Sequence, residues 1–187
     1  CSRYLAGLGA RVVATDVSPG MLAEAASINA SASAEAPLVA ADGLRLPFAE
    51  GSFDVVFTSF GVVPFVENLE ALFAGVARVL VPGGVFAYSA PHPVRWMFPD
   101  SPTKRDMTVT TSYFSSAPYV ERGDDGELVY VECHHTLSEH MNALTAAGFA
   151  IERVWEPEWP KGRDVVWGGW GPERSPWIPG TLIVRAK

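Results

Sequence analysis

Two aspartates each end a short apolar run, and their positions indicate a binding site. Asp16 follows residues 10–15, which are rich in β-branched side chains, and Asp42 follows residues 38–41. Such runs are typical of buried parallel strands. Because ligands of open parallel sheets bind at the carboxyl ends of the strands, we expect both carboxylates at a binding edge.

The Asp16 carboxylate is placed to accept hydrogen bonds from both hydroxyls of a ribose. Dinucleotide and adenosyl cofactors share this use, so Asp16 alone does not select one cofactor. The structural alternative is a solvated acid at a strand end or a helix cap. Asp16 is not needed as a helix cap, because Ser18 and Pro19 already form a good helix start.

The pair Asp42-Gly43 follows the next predicted strand. The Asp42 side chain could accept the amino group of adenine, while a neighbouring backbone N–H bonds a ring nitrogen. The alternative is a simple turn, since the sequence Asp-Gly is common in turns. Met21 is either a core residue or a flexible thioether that packs on the adenine face.

Alternating strands and helices must position these residues. We predict a helix over 19–29, a polar loop over 31–35, a strand over 53–58, a helix over 69–80 and a strand over 85–89. Pro82, Gly83 and Gly84 stop the second helix. The pattern predicts an α/β fold built on a parallel sheet.

From residue 91 to 135 the pattern changes to prolines, aromatics and polar residues. Predicted strands at 109–114 and 127–133 flank a turn at 123–126, which indicates an inserted antiparallel hairpin. A capping box of Thr136 and Glu139 then starts a helix that Gly148 ends, with His140 expected on its surface. Final strands are predicted at 149–155 and 181–185.

Composition excludes several classes of protein. The chain has 187 residues and a formal net charge of −7, and it shows no basic stripe for nucleic acid or anionic membranes. No apolar stretch is long enough to cross a bilayer. Cys1 and Cys133 have no metal-ligand spacing, so we expect no metal, no disulfide and a cytoplasmic setting. One domain is expected, with parts at 1–90, 91–135 and 136–187.

Four segments within residues 1–90 resemble, in order and spacing, the motifs of class I S-adenosylmethionine-dependent methyltransferases. They are ATDVSPGML at 14–22, DGLRLPF at 42–48, FDVVF at 53–57 and RVLVPGG at 78–84. The resemblance is to the broad group that includes ubiquinone and menaquinone biosynthesis enzymes. The second half resembles, more loosely, bacterial relatives with the same His-Pro and Glu-Pro-Glu loops.

This resemblance implies a Rossmann-like, doubly wound, mostly parallel sheet of seven strands whose last strand is antiparallel. The family's first strand and glycine-rich loop are absent from the sequence, so we expect an N-terminally incomplete copy. The resemblance also implies the residues that contact S-adenosylmethionine. They are Asp16 at the ribose, Asp42 and Gly43 at the adenine, and Ser59, Phe60 and Gly61 at the methionine and methyl group; Val17 and Met21 are also expected to bind the cofactor.

The residues expected to bind the methyl acceptor follow the predicted strand 85–89. His92 could serve as a general base for a hydroxyl acceptor, or it could be a loop histidine that bonds backbone. Trp96, Tyr113 and Tyr119 belong to an aromatic group in the insertion. That group makes a small satellite core, a lid over an apolar or aromatic acceptor, or both.

The sequence therefore predicts methyl transfer from S-adenosylmethionine to a small-molecule acceptor. The acceptor, the methylated atom and the oligomeric state are not specified. A non-catalytic or truncated adenosyl-binding relic is the first alternative. A nicotinamide dehydrogenase is the second, although no Tyr-x-x-x-Lys pair is present.

Overall fold

In the computed structural model, which describes residues 1–32, 35–167 and 169–187, helices and strands alternate along the first half of the chain. The described residues group into two compact units, 1–50 and 51–187. Each unit has its own sheet structure. None of the helices in the described part is both long enough and apolar enough to span a membrane.

The first unit contains two helices and a pair of parallel strands. The helices are α1 (Ser2–Gly7) and α2 (Pro19–Ser31), and the strands are β1 (Ala14–Asp16) and β2 (Leu38–Ala40). Thr15 lies opposite Val39. The predicted start of α2 is confirmed, because the Ser18 hydroxyl accepts the Met21 N–H at 3.3 Å. Ser33 and Ala34 of the predicted loop lie outside the described residues.

The second unit is organised around a four-stranded mixed sheet in the order β3-β4-β8-β7. Its strands are β3 (Phe53–Ser59), β4 (Leu80–Pro91), β7 (Ile151–Trp155) and β8 (Thr181–Ala186). β3 and β4 are parallel, whereas β8 is antiparallel to both β4 and β7. The predicted antiparallel last strand is confirmed in these residues.

Two helices cover this sheet and form the core with it. They are α3 (Leu69–Val79) and α4 (Leu137–Ala146), and α4 begins at the predicted capping box of Thr136 and Glu139. Leu72, Phe73 and Leu144 are at most 1% exposed. The predicted break at Pro82-Gly83-Gly84 is instead part of β4, which starts directly after α3. Gly84 fits there because an added Cβ would lie 3.1 Å from the Asp54 carbonyl oxygen on the neighbouring strand.

The insertion contains the expected hairpin, but its first strand was predicted in the wrong place. The strands are β5 (Tyr119–Arg122) and β6 (Leu128–Glu132), and residues 109–114 form no strand. The turn sets the register. The Gly123 N–H donates to the Glu127 carbonyl at 2.9 Å, and Gly126 has φ +81°. A strand that pairs with β6 must therefore end directly before Gly123.

Candidate active site

Asp16 ends β1 and is tied to its surroundings by two hydrogen bonds. Its Oδ1 accepts the Ser18 N–H at 2.8 Å, and its backbone carbonyl accepts the Ala41 N–H at 3.0 Å. The side chain is half-buried. Its second carboxylate oxygen has no hydrogen-bond partner among the described residues. One oxygen therefore fixes the turn into α2, and the other can accept from a ligand.

Asp42 lies in a turn just beyond β2, with an exposed side chain. Its Oδ1 accepts the Leu44 N–H at 2.9 Å, and its carbonyl accepts the Arg45 N–H at 2.9 Å. These are the bonds of the structural alternative, a turn started by an aspartate. They still leave one carboxylate oxygen and the Gly43 N–H without a partner in the described part of the chain, which is the donor–acceptor pair expected at an adenine.

Val17 and Met21, the two predicted apolar contacts, are 71% and 58% exposed. The alternative that Met21 is a core residue is wrong, because more than half of its surface is exposed. Exposed apolar side chains beside Asp16 are what the flat face of a bound base would cover.

Ser59, Phe60 and Gly61 follow β3 in the second unit. The Ser59 and Ser89 hydroxyls are 3.2 Å apart, and the Phe60 N–H donates to the Ser89 carbonyl at 2.9 Å. These bonds join the ends of β3 and β4. Phe60 has φ +50°, a left-handed backbone that residues with a side chain rarely adopt.

Gly61 is required by close packing. A Cβ at this position would lie 2.5 Å from Oγ1 of Thr58. The three residues therefore make a sharp, strained turn at the carboxyl end of a parallel strand. Such turns are found where a chain must present backbone to a ligand.

His92 follows β4 and is buried at 6% exposure. Its Nδ1 accepts the Val94 N–H at 3.2 Å, and its Nε2 lies 2.7 Å from Oε1 of Glu156, just beyond β7. In the neutral ring the proton is then on Nε2, which donates to the carboxylate. Both nitrogens are engaged, which favours the structural alternative over a free general base. The partner Glu156 was not foreseen, because nothing local to the Glu-Pro-Glu loop signals a contact 64 residues away in sequence.

The aromatic group of the insertion forms a connected cluster. The Trp96 ring centroid lies 6.0 Å from Tyr119 and 5.7 Å from His134, and the Tyr113 ring lies 5.6 Å from His134. The Tyr113 hydroxyl accepts the N–H of Leu137 at 2.8 Å, at the first turn of α4. The expected satellite core is therefore present.

A cavity of about 380 Å³ opens beside this cluster. Trp96, Phe98 and Tyr119 form apolar walls, and Arg95, His134 and Arg174 also line it. Its size is that of a small-molecule site. The sequence did not predict the contribution of Arg174, which comes from the tryptophan-rich loop before β8.

His140 was predicted on the surface of α4, and this prediction is wrong. It is 2% exposed, and its Nδ1 lies 3.0 Å from the Tyr88 hydroxyl on β4. Burial lowers the pKa of His140 to about 3 and raises the pKa of Tyr88. The imidazole is therefore neutral near pH 7 and acts as a packed, hydrogen-bonded core group.

Residues 1–88 match the family described as methyltransferase domain. A relative from Synechocystis sp., named an uncharacterized methyltransferase, is 42% identical over 97 residues, covering 51% of this chain and 44% of the relative. The demethylmenaquinone methyltransferase of Mycolicibacterium vanbaalenii is 49% identical over 80 residues, covering 43% of this chain and 32% of the relative. The chain thus spans less than half the length of these curated relatives.

A solved structure shares the fold over nearly the whole chain. The S-adenosylmethionine dependent methyltransferase from Mesorhizobium loti superposes with a TM-score of 0.73 at 28% identity, covering 98% of this chain and 83% of that one. The chain is similar to it across both halves, including the insertion. The fold is therefore Rossmann-like with a mixed sheet.

Proposed function

We propose that this chain is a class I S-adenosylmethionine-dependent methyltransferase and transfers a methyl group from that cofactor to a small-molecule acceptor. One observation carries the proposal. Asp16 and Asp42 follow neighbouring parallel strands, and each has one carboxylate oxygen bound to a local N–H and one without a partner among the described residues.

The residues fit S-adenosylmethionine. Asp16 would accept the ribose hydroxyls, and Asp42 with the Gly43 N–H would bond the adenine. Val17 and Met21 offer exposed apolar surface for the base. Ser59, Phe60 and Gly61 would present backbone to the methionine portion, at the strained turn after β3.

When bound, the cofactor supplies a methyl group activated by a sulfonium that also serves as the leaving group. The protein must then hold the acceptor in line with that carbon and exclude water. His92 is held by Val94 and Glu156, so we assign it to fixing the segment after β4 rather than to removing a proton.

The insertion, residues 91–135, would cover the acceptor as a lid. Support comes from the cavity of about 380 Å³ against Trp96 and Tyr119. The Arg95 N–H donates to the His92 carbonyl at 3.0 Å, so the cavity wall continues directly from the end of β4. The family's seven-stranded sheet, a cytoplasmic setting and the absence of a nucleic-acid partner stay predictions.

The test is a methyl-transfer assay on the full-length protein. Labelled S-adenosylmethionine would be offered with panels of small phenols, carboxylic acids and amines. We expect labelled product from at least one panel, and less of it from Asp16→Asn when the cofactor concentration is limiting. Cofactor binding without transfer to any panel would contradict the proposal and favour a non-catalytic adenosyl-binding protein.

A further inference from the structure

We infer that the cavity under the insertion takes an aromatic carboxylic acid, and that Arg174 holds the carboxylate of this acceptor. The inference rests on the proposed function, because it names the class of the methyl acceptor. It starts from a buried cation whose bonding is incomplete.

Arg174 is 2% exposed and lines the cavity. Its Nη1 donates to the carbonyl oxygens of Pro99, Ser101 and Gly169 at 2.9, 2.9 and 3.1 Å. These bonds use one nitrogen only. Nε is buried without a hydrogen-bond partner, and Nη2 has no acceptor among the described residues.

The Nε and Nη2 donors form the side edge of the guanidinium, which is the edge that binds a carboxylate through two parallel bonds. Nη1 lies on the opposite side and anchors the group to backbone. The side chain is therefore fixed in place with one of its two-donor edges unused.

The charge of Arg174 is only partly compensated, by Asp100, which also lines the cavity. Among the described residues, no carboxylate lies within ion-pair distance of it. Burial lowers the pKa of Arg174 overall, although the Asp100 carboxylate stabilises the cation and raises its pKa by a smaller amount. A buried charge without a partner is costly, so an anionic ligand would stabilise this site.

The other cation of the cavity, Arg95, is already partnered. Its Nη2 lies 3.5 Å from Oε2 of Glu132, whose other oxygen accepts the Tyr130 hydroxyl at 2.7 Å. The Arg95 guanidinium also lies 4.8 Å from the centre of the Trp96 ring. Arg95 thus completes the wall, and Arg174 is the cation left for a ligand.

The remaining walls select a flat ring that carries a hydrogen-bond donor. Trp96, Phe98 and Tyr119 present aromatic surface to the cavity. His134 is 9% exposed and uses Nε2 to bond the Tyr113 carbonyl at 2.7 Å. In that tautomer Nδ1 is an acceptor, and it is buried without a partner.

The cavity is linked to the turn after β3 through the tryptophan-rich loop. The Phe60 ring lies 6.4 Å from Trp167, Trp167 and Trp170 exchange backbone hydrogen bonds, and Arg174 lies 4.6 Å from the centre of the Trp170 ring. The residue that would fix the acceptor is therefore connected by packing to the turn where the methyl group is expected.

The direct test compares two ligands on the unaltered full-length protein. The probes are 4-hydroxybenzoate and its neutral isostere 4-hydroxybenzamide, and calorimetry in the presence of S-adenosylhomocysteine gives both dissociation constants. We expect the acid to bind at least tenfold more tightly than the amide. Equal affinities, or tighter binding of the amide, would overturn the inference.

Variants then locate the carboxylate. Arg174→Lys keeps the charge but removes the two-donor edge, so the preference for the acid should fall at least tenfold. Arg105→Lys is the matched control, because that side chain is 86% exposed and is not among the residues that line the cavity, and it should change nothing. A thermal melt checks that each variant is folded. If Arg174→Lys does not fold, the ligand comparison alone decides.

A parallel methyl-transfer assay separates this inference from the proposed function. Methylation of neutral phenols or amines, with no acid bound, would overturn the inference and leave the function standing. An acid that binds tightly but is never methylated would overturn its assignment as acceptor. Failure of transfer to every compound would contradict the proposed function itself.

Discussion

At the scale of single residues, Asp16 has two separable tasks, one in the fold and one toward a ligand. Its Oδ1 holds the Ser18 N–H, a bond that an asparagine oxygen can also accept. Asp16→Asn should therefore fold normally and lose only the charge. Charge-assisted bonds contribute about 1.5–3 kcal/mol, so we expect S-adenosylhomocysteine affinity to fall about tenfold or more by calorimetry.

Glu24 supplies the control for this measurement. It is an exposed acid on α2 in the same unit, so Glu24→Gln removes the same charge without touching the turn. Its cofactor affinity should equal that of the unaltered protein. A well-folded Asp16→Asn with unchanged affinity would refute the ribose assignment.

His140 makes folding stability depend on pH. Its pKa is about 3 in the folded protein, mainly because of burial, and about 6.5 when unfolded. Between about pH 6.5 and pH 3 the unfolded chain therefore binds up to one more proton at this site than the folded chain, so the stabilising contribution of His140 is full above pH 6.5 and falls on acidification. For each such proton, the free energy of unfolding falls by about 1.4 kcal/mol for every pH unit of acidification.

Urea unfolding at pH 7, 6 and 5 would measure this dependence. Burial also lowers the pKa of His135, so the unaltered protein should lose stability through both histidines. In His140→Gln the free energy of unfolding should depend less steeply on pH, by an amount that corresponds to about one proton. Identical slopes in the two proteins would mean that His140 is not a buried neutral group.

What the sequence could predict at this scale was the identity of strand-end residues. Asp16, Asp42 and the cap Ser18 follow local patterns. The burial of His140 and the pairing of His92 with Glu156 depend on which surfaces α4 and β7 turn toward β4. No local pattern carries that information, because both contacts join residues more than fifty positions apart.

At the scale of elements, the insertion is the segment whose role is most open to test. Trp96 packs on Tyr119, His134 and Arg95 and lines the cavity. Trp96→Ala should raise KM for the acceptor or lower kcat, with cofactor affinity nearly unchanged. Steady-state kinetics and calorimetry with S-adenosylhomocysteine would measure the two effects separately.

A purely structural Trp96 would behave differently. Its removal would then cost about 3–5 kcal/mol of stability, as for a cavity in a core. Cofactor and acceptor affinity would fall together, with a large drop in Tm. Phe114→Ala is a matched control on the same insertion, since this ring is 82% exposed and should matter little to either measurement.

The hairpin shows why element boundaries were only partly predictable. Residues 109–114 contain β-branched and aromatic side chains and favour a strand by composition. The turn at 123–126 was predicted correctly, and a tight turn fixes the pairing of the residues directly beside it. The four residues of β5, Tyr119–Arg122, were overlooked because two of them are charged.

At the scale of the whole molecule, the repeating strand and helix pattern was enough to predict the α/β class, and the family resemblance implied the antiparallel last strand. The cavity was not predictable, because it joins the insertion to Arg174 in the loop before β8. Such a site exists only once the chain has folded. Its chemistry could be suspected from the aromatic residues of the insertion, but its cation could not.

The proposed function depends most directly on the identity of the cofactor. Isothermal calorimetry of the full-length protein with S-adenosylmethionine and with NADH tests it directly. We predict micromolar binding of S-adenosylmethionine, about −8 kcal/mol, and no measurable binding of NADH. Tight binding of NADH with no binding of S-adenosylmethionine or S-adenosylhomocysteine would contradict the assignment as a methyltransferase.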